Sequence, residues 1–81
     1  MERNRELRIP IHQIEPAGCH NPKAVPRYAA MLRAGSKPPS IWVVQQGQPN
    51  SFFRYRILDG AHRVRAATLC GHTKIRARLC L

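Results

Sequence analysis

Eighty-one residues hold one core at most, and a chain this short buries only about 60% of the surface its unfolded form exposes, so that core must be compact. Hydrophobic residues make up 43% of the chain, which excludes full disorder, but aromatics only 6%, so Ile, Val, Leu and Ala must fill most of the interior. Fourteen Lys and Arg face four acids, for a net charge of +10, and this lopsided excess points to a polyanionic partner, nucleic acid or nucleotide.

In chain order, residues 1–6 are charged and expected to fray. Apolar residues then fall at Leu7, Ile9, Ile11 and Ile14, and 7–14 reads as a short strand. Pro10 makes it an edge strand, because proline cannot donate to a ladder. "EPAGCHNPKAVP" is loop, with three prolines, a glycine and an asparagine in twelve residues. "RYAAMLRAG" is a helix closing on Gly35, and after "SKPPS" comes a β-branched strand, "IWVVQQ".

"GQPN" is turn material. "SFFRYRILD" alternates Phe53, Tyr55 and Ile57 with Arg54 and Arg56, a strand with one buried and one basic face. Residues 60–69 read as a helix stopped by Gly71. "TKIRARLCL" alternates again, with Ile75, Ala77, Leu79 and Leu81 inward and Lys74, Arg76, Arg78 and Cys80 outward. The order β, α, β, β, α, β predicts a single small α+β domain over 1–81. If the two arginine-bearing strands are neighbours, Arg54, Arg56, Arg76 and Arg78 form one nucleic-acid-binding surface.

"ILDGAHRVRAA" carries the chemistry. A helix start presents unpaired N–H groups and the positive end of the dipole, and a glycine before it lets an anion approach without a Cβ in the way. His62, Arg63 and Arg65 add an imidazole and two guanidinium groups around that end, a set that suits phosphate. Asp59 has two readings. As a structural residue it is the helix N-cap; as a functional one it holds Mg²⁺ beside a polyphosphate or acts as a base.

The stretch "ILDGAHRVRAATLCGHTKIRARL" resembles the signature of the ParB/sulfiredoxin superfamily. ParB members carry G-E-R-R-x-R-A-A there, sulfiredoxins G-C-H-R-Y-A-A, and a further branch D-G-H-H-R, the nearest to Asp59-Gly60-Ala61-His62-Arg63. Upstream, "RIPIHQIEPAGCHNP" is similar to the family's opening strand and Asn-Pro box, and "MLRAGSKPPSIWVVQ" to its helix–glycine–proline–strand passage. The resemblance implies a mixed sheet with packed helices and a phosphate pocket at Gly60, His62 and Arg63, with Arg65 beside them. It implies ATP, ADP or CTP with Mg²⁺ as ligands, a metal-assisting or catalytic role for Asp59, and Asn21 approaching the same pocket.

Two departures stand out. Ala61 replaces the catalytic cysteine of sulfiredoxins, which argues against sulfinic-acid repair. The helix-turn-helix and dimerisation segments of ParB proteins do not follow, so the chain is not a complete partition clamp.

Cys19, His20, Cys70, His72 and Cys80 have no finger-like zinc spacing, and three cysteines without CxxC suit a reduced, intracellular setting. Cys70 reads as a small core residue. Trp42 reads as core or face packing on its strand, with base stacking as the alternative. "MERNRELR" has no signal-peptide h-region, and no apolar run reaches membrane-span length.

The expectation is therefore a cytoplasmic ParB-like nucleotide-phosphate-binding domain, an NTP hydrolase or phosphotransfer module acting with DNA. The alternative is a DNA-binding module or metal-dependent nuclease that uses its basic surface without a nucleotide and is nucleoid-associated. An exposed strand edge permits a homodimer.

Overall fold

The computed structural model describes residues 5–19, 21–47 and 52–80. Four strands and two helices follow one another as β1 (Arg5–Pro10), α1 (Ala24–Arg33), β2 (Ile41–Gln45), β3 (Tyr55–Asp59), α2 (Ala61–Leu69) and β4 (Lys74–Leu79). This is the expected small α+β arrangement, with the helices on a mixed sheet of order β1-β4-β2-β3. β1 runs antiparallel to β4, β2 antiparallel to β3, and β2 parallel to β4.

β1 starts earlier and ends earlier than its periodicity suggests. Of the stretch 1–6 expected to fray, residues 1–4 lie outside the described residues, and Arg5 and Glu6 open the strand opposite Leu79 and Arg78. The strand stops at Pro10, and a 3-10 turn over Ile11–Gln13 follows. The turn carries the chain across the sheet, so that Ile14 bridges Tyr55 of β3 in parallel. Ile9 and Ile14 are both buried, five residues apart, a spacing that a continuous strand cannot put on one face.

α1 begins three residues before the expected start. Pro26 looks like a breaker in sequence, but in the first helical turn its missing N–H would have had no partner anyway. Both helices end alike, with Gly35 and Gly71 in the left-handed conformation. Ser36 N–H reaches Met31 O and Gly35 N–H reaches Leu32 O; His72 and Gly71 repeat the pattern on Ala67 and Thr68. These are Schellman closures.

Residues 48–50 of the expected turn at 47–50 lie outside the described residues, as do Ser51, the first residue of the expected third strand, and Leu81. β3 itself begins only at Tyr55, and Phe52 is exposed.

The core forms two clusters. Ile9, Ile14, Ile41, Val43 and Ala77 fill the sheet side, with Val64 of α2 packed on them. Ile41 and Val43 are fully buried, and each such side chain stabilises by about 1.5–3 kcal/mol. Val25, Ala29 and Ala66 join the helices, flanked by Tyr28, Leu32, Cys19 and Cys70. Cys70 is thus the small packing residue expected, and its Sγ lies 3.6 Å from Ala29 O.

Candidate functional site

β3 delivers the chain through Gly60 directly into α2. Gly60, not Asp59, is the N-cap, and no side chain caps the helix. The N-cap reading of Asp59 is therefore corrected: its carboxylate is 73% exposed and lies 3.3 Å from Arg63 Nη2. The first-turn N–H groups keep no side-chain acceptor, which is the condition for binding an anion there.

Gly60 has φ +113°, and a Cβ on it would lie 2.6 Å from Ile41 Cγ2. The space left by its missing side chain is filled by β2 rather than open to a ligand. That corrects the reason for the glycine: sheet packing and backbone conformation require it.

His62 accepts a hydrogen bond at Nε2 from the backbone N–H of Asn21, at 2.9 Å. Asn21 Oδ1 in turn accepts from Lys23 N–H, an Asx turn that leads into α1. Cys19 Sγ lies 3.9 Å from the carbonyl of Ala61, so the Asn-Pro loop rests on the start of α2. Asn21 and His62 are thus in contact, but through the Asn21 backbone.

Arg63 points to the other side. Its Nη1 donates to the carbonyls of Pro39 and Ser40, both at 3.0 Å, and its side chain is only 12% exposed. Arg76 Nη2 donates to Pro38 O at 2.9 Å. The three consecutive carbonyls before β2 are thus each held by a guanidinium. Ser40 Oγ donates to Glu6 at 2.7 Å, and Glu6 also lies 3.6 Å from Arg76 and 3.8 Å from Arg78. The Ser40 hydroxyl, foremost, holds the Glu6 carboxyl below its ordinary value; burial, next in size, opposes it, and Arg76 and Arg78 add to the lowering.

Beside Arg63 opens a groove of about 360 Å³. Tyr28, Leu32, Pro38, Pro39, Ala67 and Ile75 give it apolar walls. Arg8, Lys37, Arg63, His72, Lys74 and Arg76 also line it, and no acid among the described residues does. Lys37, His72 and Lys74 escaped the sequence reading as groove residues because the connection after α1 and the start of β4 meet only in the fold. Gly60, His62, Arg65 and Asn21 do not line the groove; Arg63 is the link between it and the helix start. Arg65 is exposed and makes no hydrogen bond or ion pair among the described residues.

The arginine surface is rearranged too. β3 and β4 are not neighbours, because β2 pairs with both. Arg56 lies opposite Val44, and Arg78 opposite Trp42 on the parallel side. Residues directly opposite share a face, so Arg56, Arg76 and Arg78 lie on one sheet face with Trp42 and Val44 between their rows. Arg54 precedes β3 and accepts Gln46 N–H at its carbonyl. Among the described residues no three His, Cys, Asp or Glu side chains gather to hold a metal.

No protein-family model and no curated protein matches the chain. Solved structures do. Sulfiredoxin from Arabidopsis thaliana superposes with a TM-score of 0.74 at 18% identity, over 93% of this chain and 83% of that one. A C-terminally truncated chromosome-partitioning protein ParB from Caulobacter crescentus, complexed with CTP-gamma-S, gives 0.72 at 19% identity, covering 93% and 43%. A conserved hypothetical protein from Pyrococcus furiosus gives 0.75 at 15%, covering 91% and 31%.

This is the ParB/sulfiredoxin-like fold. The chain spans less than half of the ParB and Pyrococcus chains and most of the sulfiredoxin. In the ParB/sulfiredoxin-like frame the D-G-A-H-R segment is the β3–α2 junction. No helix of the described residues is long and apolar enough to cross a membrane.

Proposed function

We propose that this chain is a ParB-like nucleotide-binding module that seats phosphates on the N-terminus of α2 and the rest of the nucleotide in the groove beside Arg63. The observation that carries the reading is the groove: apolar walls, six basic side chains and no acid among the described residues, joined through Arg63 to an uncapped helix start. About 360 Å³ lies within the usual range of small-molecule sites. The CTP-gamma-S in the ParB of the same fold supports it.

Arg65 meets the phosphates as a free fork, and His62 keeps the Asn-Pro loop against the helix. Arg63 has a double duty, bracing Pro39 and Ser40 while offering its remaining donors. Asp59 alone is no metal centre, but one exposed carboxylate suits Mg²⁺ that arrives with the phosphates, since that ion is ordinarily held by one or two carboxylates plus phosphate oxygens and water. A bound Mg²⁺ would supply charge neutralisation for hydrolysis or transfer of the terminal phosphate, with Asp59 as the carboxylate that would hold it. The basic sheet face is the surface through which the module acts with DNA.

Calorimetric titration with ATP, ADP, CTP and GTP, with and without Mg²⁺, tests the reading. One nucleotide saturates the protein, and Lys74→Ala and Arg65→Ala each weaken it about tenfold, the loss expected for a charge-assisted contact. Both side chains are exposed, so neither change disturbs packing. Arg63→Ala abolishes binding but also loosens the segment before β2. Absence of saturable binding at low salt, or full affinity in the double variant Arg65→Ala/Lys74→Ala, would overturn the assignment.

A further inference from the structure

α2 covers the sheet face that carries Ile41, Val43 and Ala77. On the opposite face no described residue is buried, and no described helix lies on it. Trp42 and Val44 of β2 run down its middle, both half-exposed. The register shift after Trp42 leaves Leu58 as the extra residue beside it, 51% exposed. Arg56 flanks this apolar strip on the β3 side and Arg78 on the β4 side, while Arg76 of the same row turns to Pro38 O and lines the groove. The acids nearest the strip are Glu6 and Asp59, opposite Arg78 and Trp42.

We propose that this open sheet face binds single-stranded nucleic acid, with Trp42 stacking on a base and the flanking arginines on the phosphates. Adjacent strands lie about 4.8 Å apart, so the rows on β3 and β4 stand about 10 Å apart across β2. The strip between them is one strand wide. A duplex hides its base faces and would set phosphates against Trp42, Val44 and Leu58. A single strand supplies base faces for the centre and charge for the margins together. A second copy of this chain would bring arginine row against arginine row, which is repulsive. The assignment rests on the polyanion reading of the +10 charge and is independent of the nucleotide groove.

Trp42 is the single tryptophan of the chain, so its fluorescence reports on this face alone. The full chain is titrated with a single strand of about 15 nucleotides and with the same sequence as duplex. Anisotropy and tryptophan emission are followed together, with thermal unfolding of each variant as the control. The single strand binds at least about fivefold tighter than the duplex and changes Trp42 emission. Trp42→Ala weakens it by about fivefold or more, the effect of one lost stacking contact, while Trp42→Phe retains most of the affinity. Arg56→Glu weakens it without touching the core.

Equal or tighter duplex binding overturns the proposal and leaves the DNA reading standing. So does strand binding with unaltered emission and full affinity in Trp42→Ala, or equal competition by polyglutamate. No binding at low salt overturns both. Nucleotide titrated in excess does not displace the strand; if it does, the strand sits in the groove and this assignment is wrong.

Discussion

A Cβ on Gly60 would sit 2.6 Å from one carbon of Ile41 and 2.9 Å from another, on a backbone with φ +113°. Both contacts are to a fully buried side chain that cannot swing away. Gly60→Ala therefore combines overpacking with left-handed strain and costs more than about 2 kcal/mol. Chemical denaturation measures this; an unchanged midpoint would show that β2 yields at no cost. The neighbouring residues show the same division between local and tertiary control. His62 serves through Nε2 as an acceptor for the backbone N–H of Asn21, forty-one residues away. Arg63 spends Nη1 on two carbonyls and reaches Asp59 with Nη2.

At the scale of elements, the junction between α1 and β2 is held from both sides. The carbonyls of Pro38 and Pro39 precede the β2 ladder, and the side chains of Arg76 and Arg63 donate to them. Glu6 completes the clamp from β1 through Ser40. Its carboxyl is held below the ordinary value of 4.5 in the folded chain, so folding favours the ionised form. The stabilisation is fully present above that ordinary value and is lost as pH falls through the lower folded one. The melting-temperature gap between wild type and Glu6→Gln should then be widest near neutrality and shrink below pH 4.5. A pH-independent gap would mean that the carboxylate acts by shape and not by charge.

At the scale of the molecule, the sheet order sets two proposed binding features on different sides. The groove lies where α1, α2 and the start of β4 meet, and Arg56 and Arg78 lie on the uncovered face, with Arg76 reaching from that face to the groove. The net charge of +10 acts on both. Binding of a long polyanion should weaken linearly in log salt, with log K falling by about 0.9 per phosphate contacted for duplex DNA and about 0.7 for a single strand. Nucleotide binding in a walled groove contacts few phosphates and should show a shallower slope. Calorimetry at several salt concentrations separates the two; parallel slopes would mean one shared site.

The sequence by itself determined the succession of elements and the place of the segment proposed to bind phosphate. Period-two runs marked β3 and β4, and Gly35 and Gly71 marked the helix ends, because these signals depend on residues two to five positions apart. The motif Asp59–Arg65 was legible for the same reason: strand, glycine and helix start are contiguous. Only the tertiary structure decided what those residues do to one another. Ile41 filling the space beside Gly60, the carbonyls that occupy Arg63, and β2 standing between the arginine strands all join segments about twenty or more residues apart. So does the groove that gathers Lys37, His72 and Lys74. Such pairings follow from strand order and register, which are set by how two core clusters close at once, and no local pattern encodes that.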